Sequence, residues 1–373
     1  MTKSSREFGL ILGAHTLFFL NFSELILLPV YFTDTGYSPG RIGAFMAAFS
    51  VAVVASLPVC GLLSDRLPRR RMFALGALLM AVPSALYGAL PRPDLAIPIL
   101  RALQGIGFSS AFGIMGAMVA DLDSHEDTRT RLGVLTAAGM ATHAAGPALG
   151  EFLVARWGYQ ALFFSSASFG LASLAVSFFL PGKTPPRAEA FPAGRSLIRP
   201  AWASAVLGAV FGGTTVFVPP LVDARVQGGA ALFFVSLVAG SLAVWAALSR
   251  HRNTSGWAPP RAAWIAASVL TTLLPILLSR TGRPAGYLIL GTLFGAGYGY
   301  LYPSLNSVMI ETSRNRAGSA NAFFVWSFNI GMLVSTLGLG MAIESQGIEA
   351  PMRILGLSCL VLLLWARVKR TPR

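Results

Sequence analysis

Charge is what this sequence has least of. Only 15 of its 373 residues are acidic, and Asp, Glu, Lys and Arg together make up 12%, where a soluble globular protein carries about a quarter. A water-soluble surface over one core is thereby excluded. Cysteine is nearly absent. Cys60 and Cys359 both fall in apolar stretches, without metal-ligand spacing or a disulfide framework, and read as small packing residues. No ATP-binding loop, zinc-ligand cluster or nucleophile elbow appears, and Gly105-Ile-Gly107 lies inside an apolar run rather than on a phosphate-cradling loop. The expectation is no enzyme, no metal and no cofactor. Alternating ten-residue segments of a membrane barrel are also missing.

What is present is apolar length. The chain is 54% hydrophobic, with a mean hydropathy of +0.64, and it repeats runs long enough to cross about 30 Å of hydrocarbon. It is expected to be an all-α polytopic membrane protein with twelve spans, near residues 9–32, 40–62, 71–90, 95–120, 131–155, 159–181, 201–221, 229–249, 262–280, 284–311, 317–342 and 347–367. The first run lacks a small-residue cleavage site and is expected to stay as a helix.

The net charge of +14 would suit nucleic acid, but its distribution argues for topology instead. Of the 29 Lys and Arg residues, 21 fall at the termini and in the loops that follow even-numbered spans, so both termini are expected on the cytoplasmic side. The stretch Pro181–Pro200 holds five prolines and four basic residues and reads as a linker. The expected organisation is an N-terminal six-helix half at 1–181, a cytoplasmic linker at 182–200 and a C-terminal six-helix half at 201–373.

One loop is more specific. Gly61-Leu-Leu-Ser-Asp65-Arg66-Leu-Pro68-Arg69-Arg70-Arg71 joins the second and third runs. It resembles the loop between helices 2 and 3 of the major facilitator superfamily, roughly G-x-L-a-D-R-x-G-R-R/K, with Gly61, Asp65, Arg66, Arg69 and Arg70 matching. Pro68 replaces the usual Gly. The resemblance implies two six-helix halves in one membrane-embedded chain and transport of a small molecule by alternating access. The halves would be related by pseudo-symmetry. It also implies gating roles for Asp65, Arg66 and Arg70. In the family the corresponding Asp contacts the start of helix 11 and neighbouring arginines, here near Arg316-Ala-Gly318-Ser319, where an anion is stabilised by the helix N-terminus. Acids of the next loop on that side, Asp121 to Asp127, are expected to face the basic loop.

Two further stretches resemble family motifs. Arg101-Ala-Leu-Gln104-Gly105-Ile-Gly107 opens the fourth run; an intramembrane Arg needs a wet cavity or a partner, or snorkels to the surface about 9 Å away. Gly139, Gly146, Pro147 and Gly150 match the antiporter motif G-x(6)-G-P-x-x-G, which the family associates with exporters; small residues there admit a close helix neighbour and Pro147 bends the axis. Glu151 stands where the family often has Gly.

Asn21-Phe-Ser-Glu24 in the first run holds that run's only acid, about 12 Å from the outer end. At nearly the depth of Arg101, Glu24 is expected to pair with it. It resembles the proton- or substrate-binding acid of drug/proton antiporters; the bland reading is a structural salt bridge. Asn21, Glu151 and His143 are further candidates for coupling or substrate binding, His15 a weaker one. In the second half Tyr298, Tyr300, Tyr302, Asn306, Trp326 and Asn329 suit an amphipathic organic ligand, or ordinary packing. The reading is a monomeric transporter in the plasma membrane, of bacterial inner-membrane type, exporting a small organic compound with the proton as coupling ion. The alternatives are an importer or uniporter, and a non-transporting receptor or scaffold of the same fold.

Overall fold

The computed structural model describes residues 3–64, 66–90, 96–122, 125–182, 195–226, 228–250, 261–277, 283–313 and 317–366, and among them there is no strand. The first helical run is α1 (Lys3–Glu24), a 3-10 turn at Leu25–Leu27 and α2 (Leu28–Asp34). Next come α3 (Pro39–Ser64), α4 (Arg69–Ala89), α5 (Ile97–Ala120), α6 (His125–Trp157) and α7 (Tyr159–Ser177). The remainder comprises α8 (Ile198–Asp223), α9 (Gly229–Arg250), α10 (Arg261–Leu277), α11 (Pro284–Thr312), α12 (Ala317–Gln346) and α13 (Glu349–Trp365). Taking α1 to α2 as one run, this is the expected all-α architecture of twelve helices.

Among the described residues, eight helices are long and apolar enough to cross a membrane. Exposed Leu171, Val334, Met341, Ile354 and Val361 form the kind of outward apolar surface that lipid covers. Polar sequence proved no barrier to helix: α6 starts at His125, six residues before the expected span. Pro219 and Pro220 lie inside α8, which runs on to Asp223.

The chain divides into two compact units, Met1–Tyr31 with Ala48–Glu189, and Phe32–Ala47 with Ala190–Arg373. In the first, α1 packs on α6 and α7, and α4 on α5 and α7. In the second, α8 packs on α12 and α13, and α10 on α11 and α13. The same order of pairing therefore recurs within each unit. The tight turns repeat as well. Gly36 (φ 85°) and Gly228 (φ 75°) come after the first and seventh runs; Gly158 (φ 78°) and Gly347 (φ 73°) come after the fifth and eleventh. These left-handed conformations suit glycine, which has no Cβ to clash.

Segment 32–47 belongs to the second unit because α3 opens against α12. The Gly40 backbone N–H donates to Glu344 Oε2 at 3.0 Å. A Cβ on Gly43 would run into the Thr336 carbonyl oxygen.

Candidate functional site

The site in the first unit begins at a break in the first run. Pro29 has no N–H to give the Leu25 carbonyl, as an α-helix would require. Instead the Leu28 N–H bonds the Leu25 oxygen, tightening Leu25–Leu27 into a 3-10 turn. Glu24 stands at this junction, fully buried. Its Oε1 accepts a hydrogen bond from Ser165 Oγ of α7 at 2.9 Å, while Oε2 has no partner.

The glycines of α6 form the seam that admits α1. A Cβ on Gly139 would stand 3.0 Å from His15 Nε2. One on Gly146 would come within 2.6 Å of Ser23 Cβ and 2.9 Å of the Glu24 nitrogen, and one on Gly150 within 2.7 Å of Leu27 Cδ1. Between them, Thr142 and Ser23 hydroxyls lie 3.2 Å apart, and Pro147 is buried. The motif read from sequence thus sets how closely the carboxyl-bearing helix approaches. His143, which bonds the Gly139 carbonyl through Nδ1 at 2.9 Å, lies against Phe19 and Phe22 of α1, with ring centroids 6.2 and 5.9 Å away. Glu151, next along α6, is half-buried.

Arg101 does not pair with Glu24. Its guanidinium donates through Nη1 to Gln104 Oε1 at 2.9 Å and lies 4.7 Å from the centroid of the Phe49 ring. The Nε has no partner, nor does Gln104 Nε2. Snorkelling does not occur, as Arg101 is only 6% exposed. Asn21 Nδ2 donates to Ser84 Oγ (3.1 Å), the Ser166 carbonyl (2.6 Å) and Ser166 Oγ (3.1 Å), joining α1, α4 and α7.

In the second unit, Tyr298 and Tyr302 belong to one ring cluster. Phe211 stacks on Tyr298 at 4.6 Å, Tyr298 lies 5.4 Å from Tyr302, and Tyr302 meets Phe324 edge-on at 4.8 Å. Asn306 Nδ2 donates to Asn321 Oδ1 at 3.0 Å. Asn329 instead bonds the Val325 carbonyl one turn back in its own helix, at 2.9 Å. Trp326 stacks on Phe323, and Tyr300 has no ring contact with the Tyr298 cluster among the described residues.

The family model described as Major Facilitator Superfamily matches residues 10–336. The chain belongs to the Major Facilitator Superfamily. Among curated relatives it is similar to a probable actinorhodin transporter of Streptomyces coelicolor, 24% identical over 367 residues, 95% of this chain and 59% of the relative. It is also similar to multidrug resistance protein 3 of Bacillus subtilis, 31% identical over 128 residues, 34% of this chain and 25% of the relative. The quinolone resistance protein NorA of Staphylococcus aureus is 23% identical over 165 residues, 44% of this chain and 42% of the relative. The chain thus spans less than two thirds of the length of these relatives. Two solved superfamily folds superpose with a TM-score of 0.72. The nucleoside transporter NupG is 16% identical, covering 96% of this chain and 98% of its own. The human organic anion transporter MFSD10 (TETRAN) is 18% identical, covering 99% and 100%. At such identities the likeness is one of fold.

Within the superfamily signature loop, Arg69 forms an ion pair with Asp121, with Nη1 and Oδ2 3.3 Å apart. Arg66 and Arg70 are exposed, as is Gly61, and Asp65 and Arg316 lie outside the described residues. The sequence reading passed over Ser165, although Ser165-Ser166 is a polar pair in an apolar run. It also passed over the rings of Phe22, Phe49 and Phe108; on α5, the helical spacing of Phe108 from Arg101 and Gln104 was the available signal.

Proposed function

We propose that the chain exports a small organic compound in exchange for protons, with Glu24 as the proton carrier. The supporting observation is the Glu24 carboxyl itself, sealed from water with one oxygen on Ser165 and the other unpartnered. Charge on a carboxyl is costly when it is buried and unpaired and is tolerated when water reaches it. A site wetted from alternate sides would therefore load and unload a proton at this atom pair. The α6 glycine seam, of the kind associated with exporters, and the names of the NorA and multidrug resistance relatives support export. The basic bias of alternate loops supports a plasma-membrane topology of bacterial inner-membrane type, with cytoplasmic termini. A fluorescent-protein fusion at Arg373 that fails to mature inside cells would contradict that topology.

The experiment is proton flux in proteoliposomes under an imposed pH gradient, with a panel of organic compounds, comparing wild type with Glu24→Gln. Compound-triggered proton movement that disappears in Glu24→Gln is the expected result. Undiminished movement in the variant would place coupling elsewhere. Compound flux without any proton movement would replace antiport by facilitated diffusion.

A further inference from the structure

Arg101, Gln104, Phe108 and Phe112 are spaced three, four and four residues apart, so they share one face of α5. That face meets rings from two other helices of the first unit. Phe22 of α1 lies 5.3 Å from Phe108, and Phe49 of α3 lies 5.7 Å from Phe108 and 5.9 Å from Phe22. Phe112 stacks below Phe108 at 4.9 Å. The result is a ladder of aromatic faces with one cation at its head.

That cation has no anionic partner among the described residues. Arg101 and Gln104 are 6% and 0% exposed; the Arg101 Nε–H and the Gln104 Nε2 amide, tied together by the 2.9 Å bond between their other atoms, each lack a partner. No acidic side chain among the described residues pairs with Arg101. A buried charge is ordinarily paired, and a planar guanidinium is matched to a carboxylate. Glu24 does not supply it. Two residues beyond Phe22, it points about 200° around α1 and is held by Ser165 of α7.

We propose that this face of α5 is the docking site for a flat aromatic organic anion. Its carboxylate is received by Arg101 Nε–H and Gln104 Nε2, and its ring system lies among Phe22, Phe49 and Phe108. The ladder selects by what it lacks. Below Gln104 it offers phenylalanine faces, with His143 beside Phe22 already bonded to the Gly139 carbonyl, so the hydroxyls of a sugar or nucleoside would find few partners. With a guanidinium and no carboxylate at its head, it disfavours organic cations. Proton site and ligand site then occupy opposite faces of α1, which carries Glu24 on one side and Phe22 on the other. Passage of the anion across the membrane rests on the transport reading above, whereas its docking does not and is tested by itself.

The test is equilibrium dialysis of radiolabelled 1-naphthoate against purified protein in detergent, with protein-free micelles subtracted. Neutral 1-naphthalenemethanol and cationic 1-naphthylmethylammonium serve as competitors. Saturable naphthoate binding is expected, displaced by neither competitor at equal concentration. Affinity should fall about tenfold or more in Arg101→Gln, as loss of a charge-assisted contact implies. Arg101→Lys should be intermediate, since it keeps charge and loses the fork. Gly133→Ala should stay within about twofold, because a Cβ at that exposed position would meet nothing within 4 Å. Each variant is first required to elute as one monodisperse species, and Gln104→Leu gives a second route should Arg101→Gln fail to fold. No saturable naphthoate binding to folded wild type, equal binding in Arg101→Gln and Gln104→Leu, or preference for the ammonium compound each overturns the proposal. Naphthoate that binds but does not cross proteoliposomes leaves the docking site standing and removes the passage of this anion. Proton-coupled flux of a non-anionic compound with no naphthoate binding does the reverse.

Discussion

A single side chain here is defined by what it is bonded to. Glu24 was legible because it is the only acid in the first apolar run, and charge in such a run is costly enough to require a reason. Its partner was not legible. Ser165 is one of several serines in its run, and only the packing of α7 on α1 places its hydroxyl 2.9 Å from the carboxyl. Asn21 went the other way. A coupling candidate by sequence, it joins three helices through Ser84 and Ser166. Asn21→Ala should therefore act on stability before ligand affinity. Leaving Ser84 and the Ser166 carbonyl short of a donor costs about 1–3 kcal/mol. A lower thermal midpoint in detergent with 1-naphthoate affinity unchanged is the expected result. An unchanged midpoint with altered affinity would return Asn21 to the site.

Helices meet through the smallest residues on their facing sides. On α6, Gly146 is where Ser23 and the Glu24 backbone approach closest, so its missing side chain is a packing requirement. Gly146→Leu should force α1 from α6 and lower the thermal midpoint sharply, since overpacking costs about 1–3 kcal/mol or more. Gly133, on the same helix, would meet nothing within 4 Å. Gly133→Ala should be neutral or stabilising, by about 0.5–1 kcal/mol, because alanine restricts the unfolded chain. The paired thermal scans distinguish a specific seam from a general intolerance of α6. The motif could be read from sequence, whereas the helix it faces could not, because a small-residue stripe accepts any neighbour. The same limit explains the expected Glu24–Arg101 pair. Depth along each helix comes from residue count, but the direction each side chain points depends on which helix is packed beside it.

At the scale of the molecule, the chain does not divide at simple breaks between spans. Phe32–Ala47, at the turn between its first two runs, groups with the second unit. One tie is the Glu344 carboxylate on the Gly40 amide at the start of α3, where an anion also complements the helix dipole. Glu344→Ala should raise amide exchange across the first turn of α3 about fivefold to tenfold, the loss expected for a cap of about 1 kcal/mol. Exchange there as slow as in wild type would show that the Gly43–Thr336 approach suffices without the carboxylate.

Composition and hydropathy by themselves determined the helical class and the membrane setting, since backbone groups in hydrocarbon must be satisfied within each segment. Three local motifs carried the family, because each is a short-range requirement of a turn or a helix face. Tertiary structure alone decided the partners. It gave Glu24 to Ser165, Arg101 to the Phe49 ring, and Asn21 to Ser84 and Ser166. These contacts join residues from different helices or depend on which face a neighbour covers, and no periodicity along the chain encodes that choice.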